Sequence, residues 1–203
     1  MVDFQQKNNY SIDDLLTIVR LLRSEGGCPW DREQTHKSIR NDFLEETCEV
    51  LEAIDCENTE LLREELGDVL LQVVFHCRIE EENKSFTFDE VCDEICKKLI
   101  IRHPHVFGDV VAENTDQVLK NWDAIKMETK GQNTYTDTLR SVAATLPALM
   151  RAQKVGKRAM RAGMDFSCKE DAIACITAEK AVLLQTTIPS ILRKKSAICF
   201  FRA

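Results

Sequence analysis

The feature that most constrains the fold is an apolar run inside a long helical pattern. The pattern predicts a helix from Thr59 to about Glu82, and the run Val69–Phe75 in its second half is apolar on nearly all sides. A helix at the surface shows one apolar stripe, whereas a helix that is apolar all round lies at the centre of a protein. The sequence therefore predicts a helix that other elements surround.

The rest of the chain is also typical of helices. Its 203 residues include only seven glycines and four prolines, and Val, Ile and Thr do not recur at every second position. We therefore expect an all-α protein. Capping signals and apolar stripes predict four more helices. They begin near Ser11 (with Asp14), at about Ser38 (ending at Cys56), at Thr87 (with Glu90, ending at Pro104) and at Asn114 (with Gln117). We expect loops at residues 28–31 and 129–137.

Charge and cysteine usage exclude several classes of protein. The net charge of −7 argues against nucleic-acid binding by a basic surface. No run is long and apolar enough for a bilayer, so no membrane partner is expected. The polar N-terminus is not typical of a signal or transit peptide, so a cytoplasmic location is the default expectation. The nine cysteines include no Cys-x-x-Cys pair, and we expect free thiols that are mostly buried, without zinc.

Two pairs of acidic residues fall on neighbouring predicted helices. Glu46 and Glu49 are three residues apart on one helix, and Glu65 and Asp68 are three apart on the next. Residues at this spacing share a helix face. The short connection near residues 57–59 makes the two helices antiparallel neighbours. We therefore expect four carboxylates to converge between them, with Glu45 close by.

A divalent cation would stabilise such a cluster. Close carboxylates repel one another unless they are protonated or neutralised, and Mg2+ favours oxygen ligands from carboxylates and substrate phosphates. Gly67 costs about 1 kcal/mol relative to Ala inside a helix, which a close approach of backbone or ligand would explain. The alternative is a set of solvated helix faces. A di-iron site is not favoured because no Glu-x-x-His is present, and His76 is expected to be a core or supporting residue.

The acidic residues and their flanks resemble the MazG family of nucleoside triphosphate pyrophosphohydrolases. The resemblance covers about residues 12–130. The similar segments are GCPWDREQTH (27–36), LEETCEVLEAI (44–54), REELGDVLLQVVFH (63–76), FTFDEV (86–91), KLIIRHPHVFGD (98–109) and NWDAIK (121–126).

This resemblance implies a four-helix-type bundle that forms a homodimer and hydrolyses nucleoside triphosphates to monophosphate and pyrophosphate. It implies Mg2+, with Mn2+ as the alternative ion, bound by Glu46, Glu49, Glu65 and Asp68. Glu45 is then the candidate to orient or deprotonate water, so that Glu45, Glu46 and Glu49 form the catalytic set. A nucleotide-binding or dimerisation module with little or no activity is the alternative function.

Basic and aromatic residues are the candidates for binding the substrate. Lys98 and Arg102, four residues apart, either contact phosphates or complement the dipole at the end of their helix. Trp122 and Lys126 have the same spacing and are candidates to close the pocket.

The segment after the first helix supplies two further candidates. Trp30 either stacks on a base or closes the core. Asp31 either contacts the nucleotide or caps the following helix. By contrast, residues 103–105 are expected to shape a turn.

The C-terminal region resembles the opening of a second module, as in longer family members with two modules in tandem. Residues 149–166 repeat the pattern of residues 15–31, in which a helix is followed by Gly and then by an aromatic residue beside Asp. We predict a catalytic domain at 1–130, a linker at 131–145 and a truncated or divergent module at 146–203. Glu179 is the one acid in the second motif (178–182), so we expect no metal there. The apolar tail after residue 187 is a candidate for packing on a partner.

Overall fold

The computed structural model describes residues 4–129, 131 and 134–185, and it confirms the all-α class. Within the described residues the ten helices are α1 (Ile12–Leu22), α2 (Pro29–Glu33), α3 (Arg40–Asp55), α4 (Thr59–Glu82), α5 (Phe88–Arg102), α6 (Pro104–Phe107), α7 (Thr115–Thr129), α8 (Tyr135–Arg140), α9 (Ala148–Arg161) and α10 (Lys169–Gln185). The central helix has its predicted bounds. No helix in this part of the chain has both the length and the hydropathy of a bilayer span.

Side-chain capping explains where several helices begin. The Ser11 backbone N–H donates to the Asp14 carboxylate at 2.9 Å, and that of Thr87 donates to Glu90 at 2.7 Å. Such bonds satisfy backbone groups that have no partner within the helix. The starts of α1 and α5 are therefore confirmed, and α7 begins where its capping signal predicts.

The core of the N-terminal region forms around the apolar half of α4. Val74 and Phe75 are buried and cluster with Ile79 of the same helix, Val19 of α1 and Ile39 at the start of α3. Each fully buried side chain of this kind contributes roughly 1.5–3 kcal/mol. The prediction of a central helix is confirmed on the side where α1 and α3 pack against it, whereas Leu70 within the apolar run is 39% exposed.

Three predicted loops contain short helices, so those predictions are wrong in part. Residues 28–31 contribute to α2, because Pro29 at the first helical position needs no N–H partner and already has a helical φ. Pro104 likewise begins α6 after α5 has ended. The segment 129–137 includes the start of α8, where the Thr134 side chain accepts a hydrogen bond from the Asp137 N–H.

The eight cysteines in the described residues are free thiols, as predicted. The expectation that most are buried is wrong. Cys77 is buried, whereas Cys48, Cys56, Cys96 and Cys168 are exposed. Cys48 and Cys96 lie on outward faces of α3 and α5, and Cys56 and Cys168 lie in the connections beside helices, where the small thiol tolerates exposure. The ninth cysteine lies outside the described residues.

The chain divides into two compact units, one ending at Ile100 and one beginning at Ile101. In the second unit α8 packs against α9, and Val142 and Ala152 are buried. The Arg158 guanidinium donates to the carbonyl of Thr138. The domain boundaries at residues 130 and 145 stay a prediction.

The two segments of the proposed repeat have similar local structure. α1 and α9 are both amphipathic, and each is followed by a glycine with positive φ, +81° at Gly26 and +76° at Gly163. Glycine reaches such angles without a steric penalty. Glu179 lies on α10 and is half-buried. The apolar tail lies outside the described residues.

Arg23 connects the end of α1 to two other parts of the first unit. Its guanidinium donates to the carbonyls of Asp31 and Gln34 at 2.6 and 3.1 Å and to the Glu82 carboxylate at 2.9 Å. Its side chain is only 6% exposed. Burial alone would raise the pKa of Glu82, but arginine charges, chiefly Arg23, hold this pKa below its ordinary value. Arg23 therefore fixes the segment around α2 against the end of α4.

We expect Arg23→Met to lower the free energy of unfolding by about 2–4 kcal/mol, because it leaves two carbonyls without their buried donor and leaves the Glu82 carboxylate with Arg78 as its remaining partner. Arg20→Met is the control. Arg20 is half-exposed and lies 3.6 Å from Glu81, so its loss is expected to change stability by less than about 1 kcal/mol. Urea denaturation followed by circular dichroism measures both, and equal losses would contradict the role of Arg23.

Candidate metal-binding site

Two packed helices, α3 and α4, position the acidic residues. The connection between them consists of residues 56–58, and Asn58 caps α4 by accepting hydrogen bonds from the N–H groups of Glu60 and Leu61. Ala53 of α3 is buried and its small side chain permits close packing near this turn. The acidic residues of the two helices therefore face one another at similar heights above the connection.

The structure brings three of the predicted ligands together. One carboxylate oxygen from each of Glu46, Glu49 and Glu65 lies within 4.8 Å of the others. Glu65 is buried, with 8% of the residue exposed, and the other two are half-buried. Three converging oxygen donors on two rigid helices form the kind of cluster that a hard divalent cation binds.

Burial and mutual repulsion shift the titration of this cluster. Burial raises the pKa of Glu46, and the charges of Asp68, Glu49 and Glu45 raise it further. Burial also raises the pKa of Glu65, together with a hydrogen bond from its carboxyl group to Glu49. A carboxyl group can donate such a bond only when it is protonated. Protonation of Glu65 and binding of a cation are therefore two ways to relieve this repulsion.

Asp68 and Glu45 lie at the margin of the cluster. Asp68 is half-buried and close enough to raise the pKa of both Glu46 and Glu65, but it is not among the three converging residues. Glu45 is exposed. A Cβ at Gly67 would meet nothing within 4 Å, so no close protein backbone explains this glycine.

The basic and aromatic candidates considered next lie on α5 and α7. In the second unit the Arg102 guanidinium lies 5.4 Å from the centre of the Trp122 ring, and the His103 ring meets the edge of that indole at 4.9 Å. Lys126 is half-buried one turn after Trp122. Lys98, one turn before Arg102 on α5, is exposed.

The segment around α2 differs from its predictions. Trp30 is 62% exposed, so the alternative that it closes the core is wrong. Asp31 lies inside α2 and caps no following helix, and its carbonyl binds Arg23. The exposed indole remains available for contact with a ligand.

One polar network was not predicted from the sequence. His36 and His76 face each other with their Nδ1 atoms 2.7 Å apart, and His36 Nε2 lies 2.5 Å from a Glu80 oxygen. Glu80 follows His76 by one helical turn, which the sequence shows. The part played by His36, forty residues earlier, depends on tertiary packing.

Comparison with known proteins relates the chain to one protein family. Residues 34–107 match the model of the MazG nucleotide pyrophosphohydrolase domain. The chain is 49% identical over 157 residues to a nucleoside triphosphate pyrophosphohydrolase of Escherichia coli (strain K12), covering 77% of this chain and 60% of that protein. It is 38% identical over 183 residues to the nucleoside triphosphate pyrophosphohydrolase/pyrophosphatase MazG of Thermotoga maritima, covering 90% and 70%. A nucleoside triphosphate pyrophosphohydrolase of Mycobacterium tuberculosis is 39% identical over 177 residues, covering 86% and 53%. The chain thus spans about 60% of the length of its Escherichia coli relative.

Metal-free Glu65→Gln protein is expected to gain thermal stability over the wild type as the pH rises above 4.5, the ordinary pKa of Glu. Because the folded-state pKa of Glu65 is raised, its ionised form destabilises the fold, whereas at low pH the group is protonated in both states. Mg2+ should reverse the order, since only the complete cluster binds it well.

Thermal denaturation from acidic to neutral pH, with EDTA and with Mg2+, measures both effects. Glu60→Gln, on the exposed first turn of α4, is the control and should show neither. Equal stabilisation of wild type and Glu65→Gln by Mg2+ would exclude this cluster as the metal site.

Proposed function

Because the chain belongs to the MazG nucleotide pyrophosphohydrolase family, we propose that it acts in the cytoplasm as a Mg2+-dependent hydrolase of nucleoside triphosphates. Water attacks the α-phosphorus, the bond from this phosphorus to the bridging oxygen breaks, and monophosphate and pyrophosphate leave. The observation that carries the proposal is the convergence of Glu46, Glu49 and Glu65 within 4.8 Å.

The donor set fits the metal. All candidate ligands are carboxylates, and their mutual repulsion, which raises the pKa of Glu46 and Glu65, is what a bound cation would offset. The proposed ligands of Mg2+, or of Mn2+ in its place, are Glu46, Glu49, Glu65 and Asp68. A cation bound there would offset the charge of the phosphate oxygens.

Glu45 is the proposed base for the attacking water. It is exposed and next to Glu46 in the sequence, so its carboxylate can reach solvent beside the cluster. A carboxylate in this position orients a water molecule and accepts its proton as the oxygen bonds to phosphorus.

The remaining candidates are assigned to the substrate by their chemistry. Lys98, Arg102 and Lys126 supply positive charge for the phosphates, and the contact of Arg102 with Trp122 holds its guanidinium in place. The exposed Trp30 is assigned to stacking on the base, with Asp31 beside it. We assign the activity to residues 1–130 and no metal to residues 146–203, where Glu179 is the one acid of the second motif.

Incubation with Mg2+ and a panel of ribo- and deoxyribonucleoside triphosphates tests the reaction. Monophosphate with pyrophosphate is the expected product pair. Release of orthophosphate would indicate a different hydrolase. Stabilisation by nucleotide without turnover would support the alternative of a binding or dimerisation module.

Glu49→Gln is expected to lower kcat/KM by about 100-fold or more, because a ligand of the metal that stabilises transition-state charge is lost. Glu52→Gln is the matched control, since Glu52 lies one turn later on α3 and is exposed. It should retain full activity. Unchanged turnover in Glu49→Gln would exclude the proposed site.

We also propose that the protein is a homodimer. Exposed leucines continue along α3 and α4 outside the core: Leu44 (52%), Leu51 (53%), Leu66 (50%) and Leu70 (39%). The two leucines of α3 are seven residues apart and the two of α4 are four apart, so each pair shares a helix face, and large exposed apolar surfaces are rare on soluble monomers. A second copy with the same surface would cover it around a two-fold axis.

Leu66→Glu is expected to convert a dimer into a monomer, because a charge at the centre of an apolar interface is desolvated without a partner. Light scattering coupled to size-exclusion chromatography gives the mass. The control is Leu149→Glu, at a leucine of α9 in the second unit that is 63% exposed. A dimer that persists in Leu66→Glu contradicts this interface.

A further inference from the structure

We propose that Gln72 and His76 bind the nucleoside half of the substrate by accepting hydrogen bonds, and that Glu80 and His36 are positioning residues that fix the tautomer of His76. The inference rests on the proposed function and adds the part of the site that recognises sugar or base. It concerns residues of the first unit only.

A polar ridge extends along α4 from the acidic cluster. Asp68, Gln72, His76 and Glu80 follow one another at intervals of four residues, which places them on one helix face. At about 1.5 Å per residue, Gln72 lies about 6 Å and His76 about 12 Å beyond Asp68 along the axis. The sugar and base of a nucleotide extend over a comparable distance from the α-phosphate.

Gln72 has a hydrogen-bonding group without a protein partner. Its side-chain oxygen is fully buried, and it makes no hydrogen bond within the described part of the chain. A buried polar atom left unsatisfied costs about 1–3 kcal/mol. A donor group from a bound ligand would satisfy this oxygen.

The network around His36 determines which nitrogen of His76 carries a proton. The Glu80 carboxylate can only accept, so His36 Nε2, 2.5 Å away, donates. In the proposed arrangement both imidazoles are neutral, so His36 Nδ1 accepts and the proton in the 2.7 Å contact belongs to His76 Nδ1. His76 Nε2 is left unprotonated and accepts.

Packing holds the ring of His76 in this orientation. The ring centroids of His36 and His76 lie 5.0 Å apart, and the ring centroid of Phe43 on α3 lies 5.8 Å from that of His76. Burial, followed by the neighbouring His36, lowers the pKa of His76, which keeps the ring neutral. His76 therefore supplies a second acceptor, one helical turn beyond Gln72 on α4.

Two kinds of nucleoside group offer matching donors, namely the hydroxyls of ribose and the N–H or amino groups of a base. A protein that uses Gln72 and His76 for the sugar distinguishes ribonucleotides from deoxyribonucleotides. One that uses them for the base distinguishes bases by the positions of their N–H and amino donors, which differ between adenine and uracil.

The test compares binding of two Mg2+ complexes, α,β-methylene ATP and inorganic tripolyphosphate, by titration calorimetry on the full chain. Gln72→Met keeps the volume and the helix but removes the acceptor. It is expected to weaken binding of the nucleotide analogue about three- to tenfold, the loss of one hydrogen bond. Binding of tripolyphosphate, which lacks a nucleoside, should not change. Gln72→Glu, which keeps the acceptor oxygen, should bind the analogue more tightly than Gln72→Met.

Glu80→Gln separates a positioning role from a structural one. It is expected to raise KM for nucleotide with little change in kcat, while affinity for tripolyphosphate stays constant. Glu60→Gln is the control on the same helix. Repeating the titration with the deoxy analogue and with a uridine analogue distinguishes recognition of the sugar from recognition of the base.

Equal weakening of both ligands, or of neither, in Gln72→Met would overturn the inference. Failure of the proposed function looks different, since the wild type would then bind the analogue without hydrolysing ATP. If the wild type hydrolyses ATP but Gln72→Met binds both ligands as the wild type does, only the inference is contradicted.

Discussion

Repulsion among carboxylates held between α3 and α4 is the constraint on which the site depends. Glu46 and Glu65 lose solvent and face like charges, so their ionised forms destabilise this part of the fold. The same helix α4 offsets that penalty through its other half, where Val74 and Phe75 are buried in the core. Because α4 is one continuous helix, the buried core residues in its second half also stabilise the part that carries the acidic residues. The acidic cluster could not form without this stabilisation.

The sequence predicts those parts of the structure that local spacing determines. Capping pairs located the starts of α1 and α5, and the interval of three residues between acids placed two carboxylates of α3 on one face. The proximity of Glu65 to the acidic residues of α3 was also predictable from the sequence, because two helices joined by a three-residue connection pack antiparallel. The exposure of Trp30 did not follow, since an indole suits a core and a surface equally well.

Contacts across long stretches of sequence are the part that spacing does not determine. The bond from Arg23 to Glu82 spans 59 residues, and that from His36 to Glu80 spans 44. Both place the segment between α1 and α3 against the C-terminal half of α4. This segment has little apolar surface of its own, so charged and polar bonds define its path. Periodicity reports which face of a helix is buried, but it carries no information about such bonds.

The three-residue connection between α3 and α4 also limits how such a chain can change length. One residue inserted between Asn58 and Glu65 would turn every later side chain of α4 by about 100° relative to the cap. The acids, the core residues and the histidine would all rotate away from their partners together. Loops that connect other helices do not impose this rotation on α4. Natural variation in length should therefore accumulate in those loops, while the hairpin keeps a fixed count of residues.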